Sequence, residues 1–386
     1  MPSSLSEASL SGAPTVDPAL SFHRRVETMC LDRLREALNP TTHLFDRQLR
    51  HGQWERTRGT EDLTSTAICL IGLHRAAVEP RRIALEPHRS LAALVEIWRE
   101  RSYPGALGLL VWANAVWDGL PLDRLLDAVG VSPGLVGAAG EPLTTMENAW
   151  LVSGLAHEWR RSGHPWTRVA LEAATNELLA RQDPGTRLFQ HASEKAPIAH
   201  RVRRFVANFA DQIYAVQAAA FAAPCGRAEA LAAASACADR LVALQGRLGQ
   251  WWWHYDPRRG RVAQPFPVYS VHQYAMAPMA LKALAAAGGM DHRAARDRGY
   301  RWIEANEVRA SLVDERAGTI WRCVDRREPG VTRIVRNAVC IVGRKGWEDG
   351  STPRLAVNLE TRPYEWGWCL LTGAIAAGAS PRGHAA

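Results

Sequence analysis

The residues of this chain best suited to chemistry sit in three polar insertions within otherwise apolar segments. These are PVYSVHQYAMAP (267–278), ANFADQIY (207–214) and RPYEWGWCLL (362–371). On a helix starting near Val268, residues Tyr269, His272, Gln273 and Met276 fall at i, i+3, i+4 and i+7 and share a face. An imidazole and an amide beside aromatic walls suit sugar hydroxyls, or a proton transfer by His272. The alternative for both is a satisfied polar position in the core. Glu365 stands among Arg362, Tyr364, Trp366 and Trp368. Desolvation by those rings would raise its pKa and fit it for general-acid work, whereas pairing with Arg362 would hold it ionised at a helix start. Asp211 interrupts an apolar helix, with Asn208 three residues before it, and is expected to be either partnered or catalytic. Arg203 and Arg204 just upstream would bind an acidic group or neutralise Asp211. In QWWWHYD (250–256) three successive Trp cannot all point one way, so at least one faces a cavity or solvent.

The expected catalytic groups are therefore Asp211, His272 and Glu365. The expected substrate contacts are Trp252, Trp253, Tyr255, Tyr269, Gln273, Arg204, Asn208, Arg362, Tyr364 and Trp368. Glu61 and Asp62, and likewise Glu147 and Asn148, precede helical runs and read more readily as caps; Thr144 to Glu147 matches a capping box.

The elements that must position these groups are helices. Apolar residues recur at i, i+3 and i+4 over 24–38, 62–77, 88–101, 106–117, 121–129, 143–162, 166–181, 205–223, 226–245, 268–287, 291–305 and 363–378. Continuous β-branched runs are scarce, and RIVRNAVCIVG (333–343) is the main strand candidate, able to form a small hairpin. A turn motif recurs between helices: NPTTHLF (39–45), DPGTRLF (183–189), DPRRGRV (256–262) and, more weakly, DERAGTI (314–320). Asp or Asn, usually with Pro next, then a turn and an apolar residue, is sound turn chemistry. After each motif comes a helix rich in small residues, suited to close packing around an axis. The fold class expected is all-α, an (α/α)6 barrel with inner helices around a central cavity and turns at its mouth. One toroid domain is expected over 23–379, with a lead-in at 1–22 and a tail at 380–386; the loop composition of 130–142 does not divide it.

Composition narrows the partners. The 386 residues carry a formal charge of +8, yet all but three of the 47 basic residues are Arg, scattered from Arg24 to Arg382. Without a clustered footprint, nucleic acid is not expected. The 15 Trp, against 7 Tyr and 7 Phe, favour a cavity walled by flat apolar faces. Seven Cys with no CxxC, a first stretch lacking the regions of a secretory signal, and no span-length apolar run lead to the expectation of a soluble, cytoplasmic protein with reduced thiols. No GxGxxG after a strand, P-loop, GxSxG elbow, HExxH or zinc spacing occurs, so no cofactor and no metal are expected.

The turn-plus-helix units, QWWWHYD and RPYEWGWCLL resemble those of α/α-toroid enzymes over about residues 24–378. One branch comprises sugar epimerases and glycosidases, where an aromatic, Glu-bearing helix faces the cavity, as Tyr364, Glu365, Trp366 and Trp368 would here. The other comprises terpenoid cyclases and prenyltransferases, whose repeats carry Gln and Trp, as Gln250 and Trp251 do; their DxDD and DDxxD motifs are missing from this chain. The resemblance implies a small-molecule substrate, a sugar or an isoprenoid. The first expectation is acid/base chemistry on a carbohydrate or sugar acid (epimerisation, elimination or hydrolysis). The second is cyclisation of a prenyl chain in a Trp-lined pocket, and the third a non-catalytic binding scaffold.

Overall fold

Asp17 caps the first helix, its carboxylate accepting from the backbone N–H of Ala19 and Leu20 ahead of Pro18 in the first turn. In this computed structural model residues 17–378 are described, except 51–52, 56–59, 79, 101–102, 137–141 and 343–353. Of the lead-in expected over 1–22, residues 1–16 lie outside the described residues and residues 18–22 belong to the first helix; the tail expected over 380–386 and the side chains of Glu61 and Asp62 also lie outside the described residues.

Every helical period read from the sequence corresponds to a helix. They are α1 (Pro18–Ala37), α2 (Thr60–Arg75), α3 (Pro87–Glu100), α4 (Leu107–Val116), α5 (Leu122–Val129), α6 (Thr145–Ser162) and α7 (Pro165–Leu179). The series continues with α8 (Phe209–Ala222), α9 (Ala228–Ala243), α10 (Ala277–Ala286) and α11 (Arg293–Trp302). After α12 (Gly330–Val342) comes α13 (Pro363–Ala376). The inner helices α2, α4, α6, α8, α10 and α13 pack each on the next, and α13 returns onto α2 to close the ring. α1, α3, α5, α7, α9 and α11 alternate with them in the chain and pack outside. The core cluster runs continuously through both layers.

Glycine sets how tightly the ring closes. A methyl group on Gly72 would stand 2.0 Å from the carbonyl oxygen of Gly367, so α2 and α13 touch backbone to backbone. Gly108 on α4 meets the backbone of Trp150 and Leu151 on α6 at 2.2 Å in the same way, and Gly154 meets the Gly108 carbonyl at 2.3 Å.

The four turn motifs share one conformation. Asn39, Asp183, Asp256 and Asp314 each accept, through the side-chain oxygen, from backbone N–H groups two or three residues on. The fourth residue after each, His43, Arg187, Gly260 or Gly318, has φ between 56° and 68°. Two copies thus use glycine where the left-handed conformation is needed, and two hold a side chain there.

Short strands cluster where the chain enters the inner helices. They are β1 (Gln48–Arg50), β2 (Gln53–Glu55), β3 (Ala207–Asn208), β4 (His254–Asp256), β5 (Arg261–Gln264) and β6 (Val268–Tyr269). β7 (Val313–Asp314), β8 (Thr319–Ile320), β9 (Cys323–Arg326), β10 (Leu355–Asn358) and β11 (Glu360–Thr361) follow. They form the antiparallel sheets β11-β1-β2, β10-β9-β6 and β3-β4-β5 and the hairpin β7-β8. The expectation of a strand at 333–343 is corrected: residues 333–342 belong to α12, and residue 343 lies outside the described residues. Its β-branched residues also fit a helical period, leaving Val331, Ile334, Val335 and Val339 exposed while Arg336 turns inward to pair with Glu328.

Gly72→Ala is expected to lower unfolding free energy by about 2 kcal/mol or more, because the added methyl meets backbone that cannot yield. Gly185→Ala, whose methyl would meet nothing closer than 3.5 Å, should change it by less than about 0.5 kcal/mol. Urea titration of the two variants measures both.

Candidate active site at the mouth of the ring

The N-terminal halves of α2, α6, α8 and α13 converge around a cavity of about 290 Å³. Thr64 and Ile68 come from α2, Met146 and Trp150 from α6, Ala210 and Tyr214 from α8, and Tyr364 from α13. Asn208, Trp253, Tyr269 and Arg322 reach in from the strands and connecting segments. His272 and Met276 come from a π-helical turn, His272–Met276, which leads into α10. Pro278 lacks the N–H a regular helix would donate back to Tyr274, and the wider turn suits that gap. A larger groove of about 710 Å³, between the first turn motif and α3, holds none of the expected residues.

His272 lies between aromatic rings, with Trp253 nearly parallel at 6.1 Å and Phe209 at 4.6 Å between centroids. Tyr269 is 5.1 Å away. Nδ1 of His272 is buried without a hydrogen-bond partner. Burial, and then the positive charge of Arg322, push its pKa down to about 3, so the imidazole is neutral.

Arg322 is the only charged side chain among the described residues lining this cavity. Its Nη1 donates to Oε1 of Glu365 at 3.0 Å and lies 3.4 Å from Oε1 of Glu360. Its guanidinium carbon stands 5.1 Å above the Tyr269 ring. Glu365 is fully buried one layer behind Arg322, and its Oε2 accepts from the backbone N–H of Arg362 at the start of α13. Its burial raises the carboxyl pKa to about 7 even though Arg322 and Arg362 oppose the shift.

Of the expected residues, the cavity thus receives His272, Trp253, Tyr269, Asn208 and Tyr364, with Glu365 reaching it through Arg322. Asp211 is placed in the wall. Its oxygens accept from the backbone N–H of Met146 (3.1 Å) and Asn208 (2.9 Å) and pair with Nδ1 of His191 (2.8 Å). Gln273 clamps the backbone of Trp251, and the Trp368 indole N–H donates to the Tyr214 hydroxyl at 2.7 Å. The Trp252 indole N–H donates to the Leu244 carbonyl, and the buried Tyr255 hydroxyl accepts from the Trp252 backbone N–H. Arg204 binds Gln190 and Glu194, and Arg362 binds Glu360. Glu147 accepts from Thr144 and Tyr103, the cap expected of it.

Sequence reasoning missed Arg322, Tyr214, Met146 and Thr64. A signal for Arg322 existed: it follows the apolar end of the fourth turn motif by two residues, where the chain turns into the mouth.

No protein-family model matches the sequence, and no curated protein matches it. Solved structures do match in shape. The cellobiose 2-epimerase from Bacillus thermoamylovorans superposes with a TM-score of 0.62 at 9% identity, over 93% of this chain and 99% of that one. A sugar epimerase from a ruminal bacterium gives 0.61 at 10%, over 94% and 99%. The unsaturated glucuronyl hydrolase from Bacillus sp. GL1 gives 0.57 at 16%, over 94% and 100%. The fold is the (α/α)6 toroid. Among the described residues no helix is long and apolar enough to cross a membrane, and all seven cysteines are buried.

Glu365 gives the site a pH signature. Its folded pKa lies above the unfolded value of 4.5, so its contribution to stability is present below pH 4.5 and is lost as pH rises through about 7. Relative to Glu365→Gln, the natural protein should lose up to about 3 kcal/mol of unfolding free energy across that window. Urea titrations of both proteins at a series of pH values read the difference directly.

Proposed function

We propose that this chain is an enzyme that binds a carbohydrate in the ring mouth and moves a proton on it, with His272 as the base. The observation that carries the reading is His272 itself: a neutral, buried imidazole with an unpartnered nitrogen, in a cavity that also holds Trp253, Tyr269, Tyr364 and Arg322. Trp faces stack on the apolar side of a sugar ring. Around them, the hydroxyls of Tyr214, Tyr269, Tyr364 and Thr64 and the amide of Asn208 offer hydrogen bonds along its edges. The imidazole takes a proton from a carbon beside a carbonyl, while Arg322 and a tyrosine hydroxyl steady the oxygen on which charge develops. The toroid structures matched in shape include sugar epimerases and a glucuronyl hydrolase, which supports a sugar ligand. Among the described residues no carboxylate lines the cavity, which favours isomerisation or epimerisation over hydrolysis by two opposed carboxylates.

A second reading rests on the wall of Met146, Trp150, Met276 and Ile68, which fits a prenyl chain whose cations the rings would stabilise. An alkene-protonating acid is not among the described lining residues, so this reading ranks second.

Thermal-shift measurements with aldoses, uronates and a prenyl diphosphate separate the two. For a sugar that binds, incubation in heavy water should place deuterium on the carbon beside the carbonyl, read by NMR. His272→Asn, checked for folding by circular dichroism, should slow that exchange by about 100-fold or more. Stabilisation by the prenyl diphosphate alone overturns the carbohydrate reading.

A further inference from the structure

The guanidinium of Arg322 is only half used. Nη1 makes both ion pairs, to Glu365 and Glu360, while among the described residues Nε and Nη2 have no hydrogen-bond partner although the side chain is only 12% exposed. An arginine so placed has two parallel N–H donors available for one bidentate acceptor, the geometry that carboxylates and phosphates fit. The acids on the other side are already engaged, Glu360 by the Arg362 guanidinium at 2.7 Å and Glu365 by its own helix start. We propose that the ligand of this cavity carries an anionic group, a carboxylate or phosphate, that docks on Nε and Nη2 of Arg322, and that Glu365 takes up a proton as it docks.

The charge count gives the reason for the proton. With Glu365 ionised, Arg322 and Arg362 are balanced by Glu360 and Glu365, and an added anion makes the cluster negative. With Glu365 protonated the cluster is +1 and the anion neutralises it. The groups that face Glu365 are Arg322 from the segment before β9, Cys323 of β9, Glu360 of β11, Arg362 and Tyr364 of its own helix, and Tyr274 of the π-helical turn. Of these, the two arginines hold Glu365 ionised, and a bound anion weakens that hold by occupying Arg322. Glu365 already titrates near 7 in the free protein, so a modest push completes its protonation. The same anion removes a charge that now depresses His272, so docking also makes the base stronger.

This deepens the carbohydrate reading and rests on it for the rest of the ligand: an acidic sugar rather than a neutral one. The test is isothermal titration of the full chain with D-glucuronate, D-glucose 6-phosphate, D-glucose and inorganic phosphate. It is run in buffers of different ionisation enthalpy at about pH 6 and about pH 8. An acidic sugar is expected to bind at least about tenfold more tightly than glucose, with up to about one proton taken up at the higher pH. Which acidic sugar binds distinguishes carboxylate from phosphate. Arg322→Gln should abolish the preference over glucose. Glu365→Gln, which keeps an acceptor for Arg322 and mimics the protonated acid, should bind the acidic sugar at pH 8 as the natural protein does at pH 6, with no proton uptake. Equal affinity for glucose and the acidic sugars, or uptake unchanged in Glu365→Gln, overturns the proposal; in the first case the carbohydrate reading stands. Binding of inorganic phosphate with Glu365-dependent uptake, and of no sugar, keeps the anion site and overturns the carbohydrate reading.

Discussion

Everything at the mouth depends on the inner helices lying backbone against backbone. At Gly72 and Gly367 the last inner helix meets the first with no side chain between them, and Gly108 and Gly154 set a similar approach between α4 and α6. Contacts this short draw the helices together until residues of their N-terminal halves share one cavity of about 290 Å³. A looser ring would separate Trp150, Tyr214 and Tyr364 and let water fill the space. The low dielectric that keeps His272 neutral and Glu365 poised near 7 is thus a product of glycine packing.

The inner helices also share a way of starting. On α6, α8 and α13 the third residue is an acid, Glu147, Asp211 or Glu365, that accepts from the backbone N–H of the residue before the helix. Such a carboxylate satisfies otherwise orphaned backbone donors and complements the helix dipole. Three chemically similar groups then have different fates. Glu147 receives the Tyr103 hydroxyl, Asp211 receives His191 and a backbone N–H from α6, and Glu365 receives an arginine that is itself exposed to the cavity. Only the third pairs with a charged side chain that lines the cavity.

Much of the frame was legible in the residues. The twelve helical periods, the small-residue inner helices and the turn motif follow from local chemistry: 3.6-residue spacing, side-chain volume, and an Asx side chain able to bond its own backbone. The misread segment, 333–343, shows the limit. Its β-branched residues satisfy the helical and the strand pattern alike, and the inward turn of Arg336 toward Glu328 accompanies a helix. Tyr269, His272 and Met276 were expected on one face and do share the cavity, while Gln273, adjacent to His272, turns to the Trp251 backbone because the helix winds as a π turn there.

By itself, then, the sequence determined a ring of paired helices with an aromatic, polar mouth, since composition, periodicity and turn chemistry act over a few residues at a time. Which acid meets the arginine of the cavity was decided only in three dimensions. Asp211 and Glu365 look alike in their helices, and what separates them is the partner that arrives from far along the chain: His191 and Met146 for one, Arg322 for the other. Burial and charge pairing are set by neighbours in space, and no local pattern in this chain encodes that Arg322 would meet Glu365.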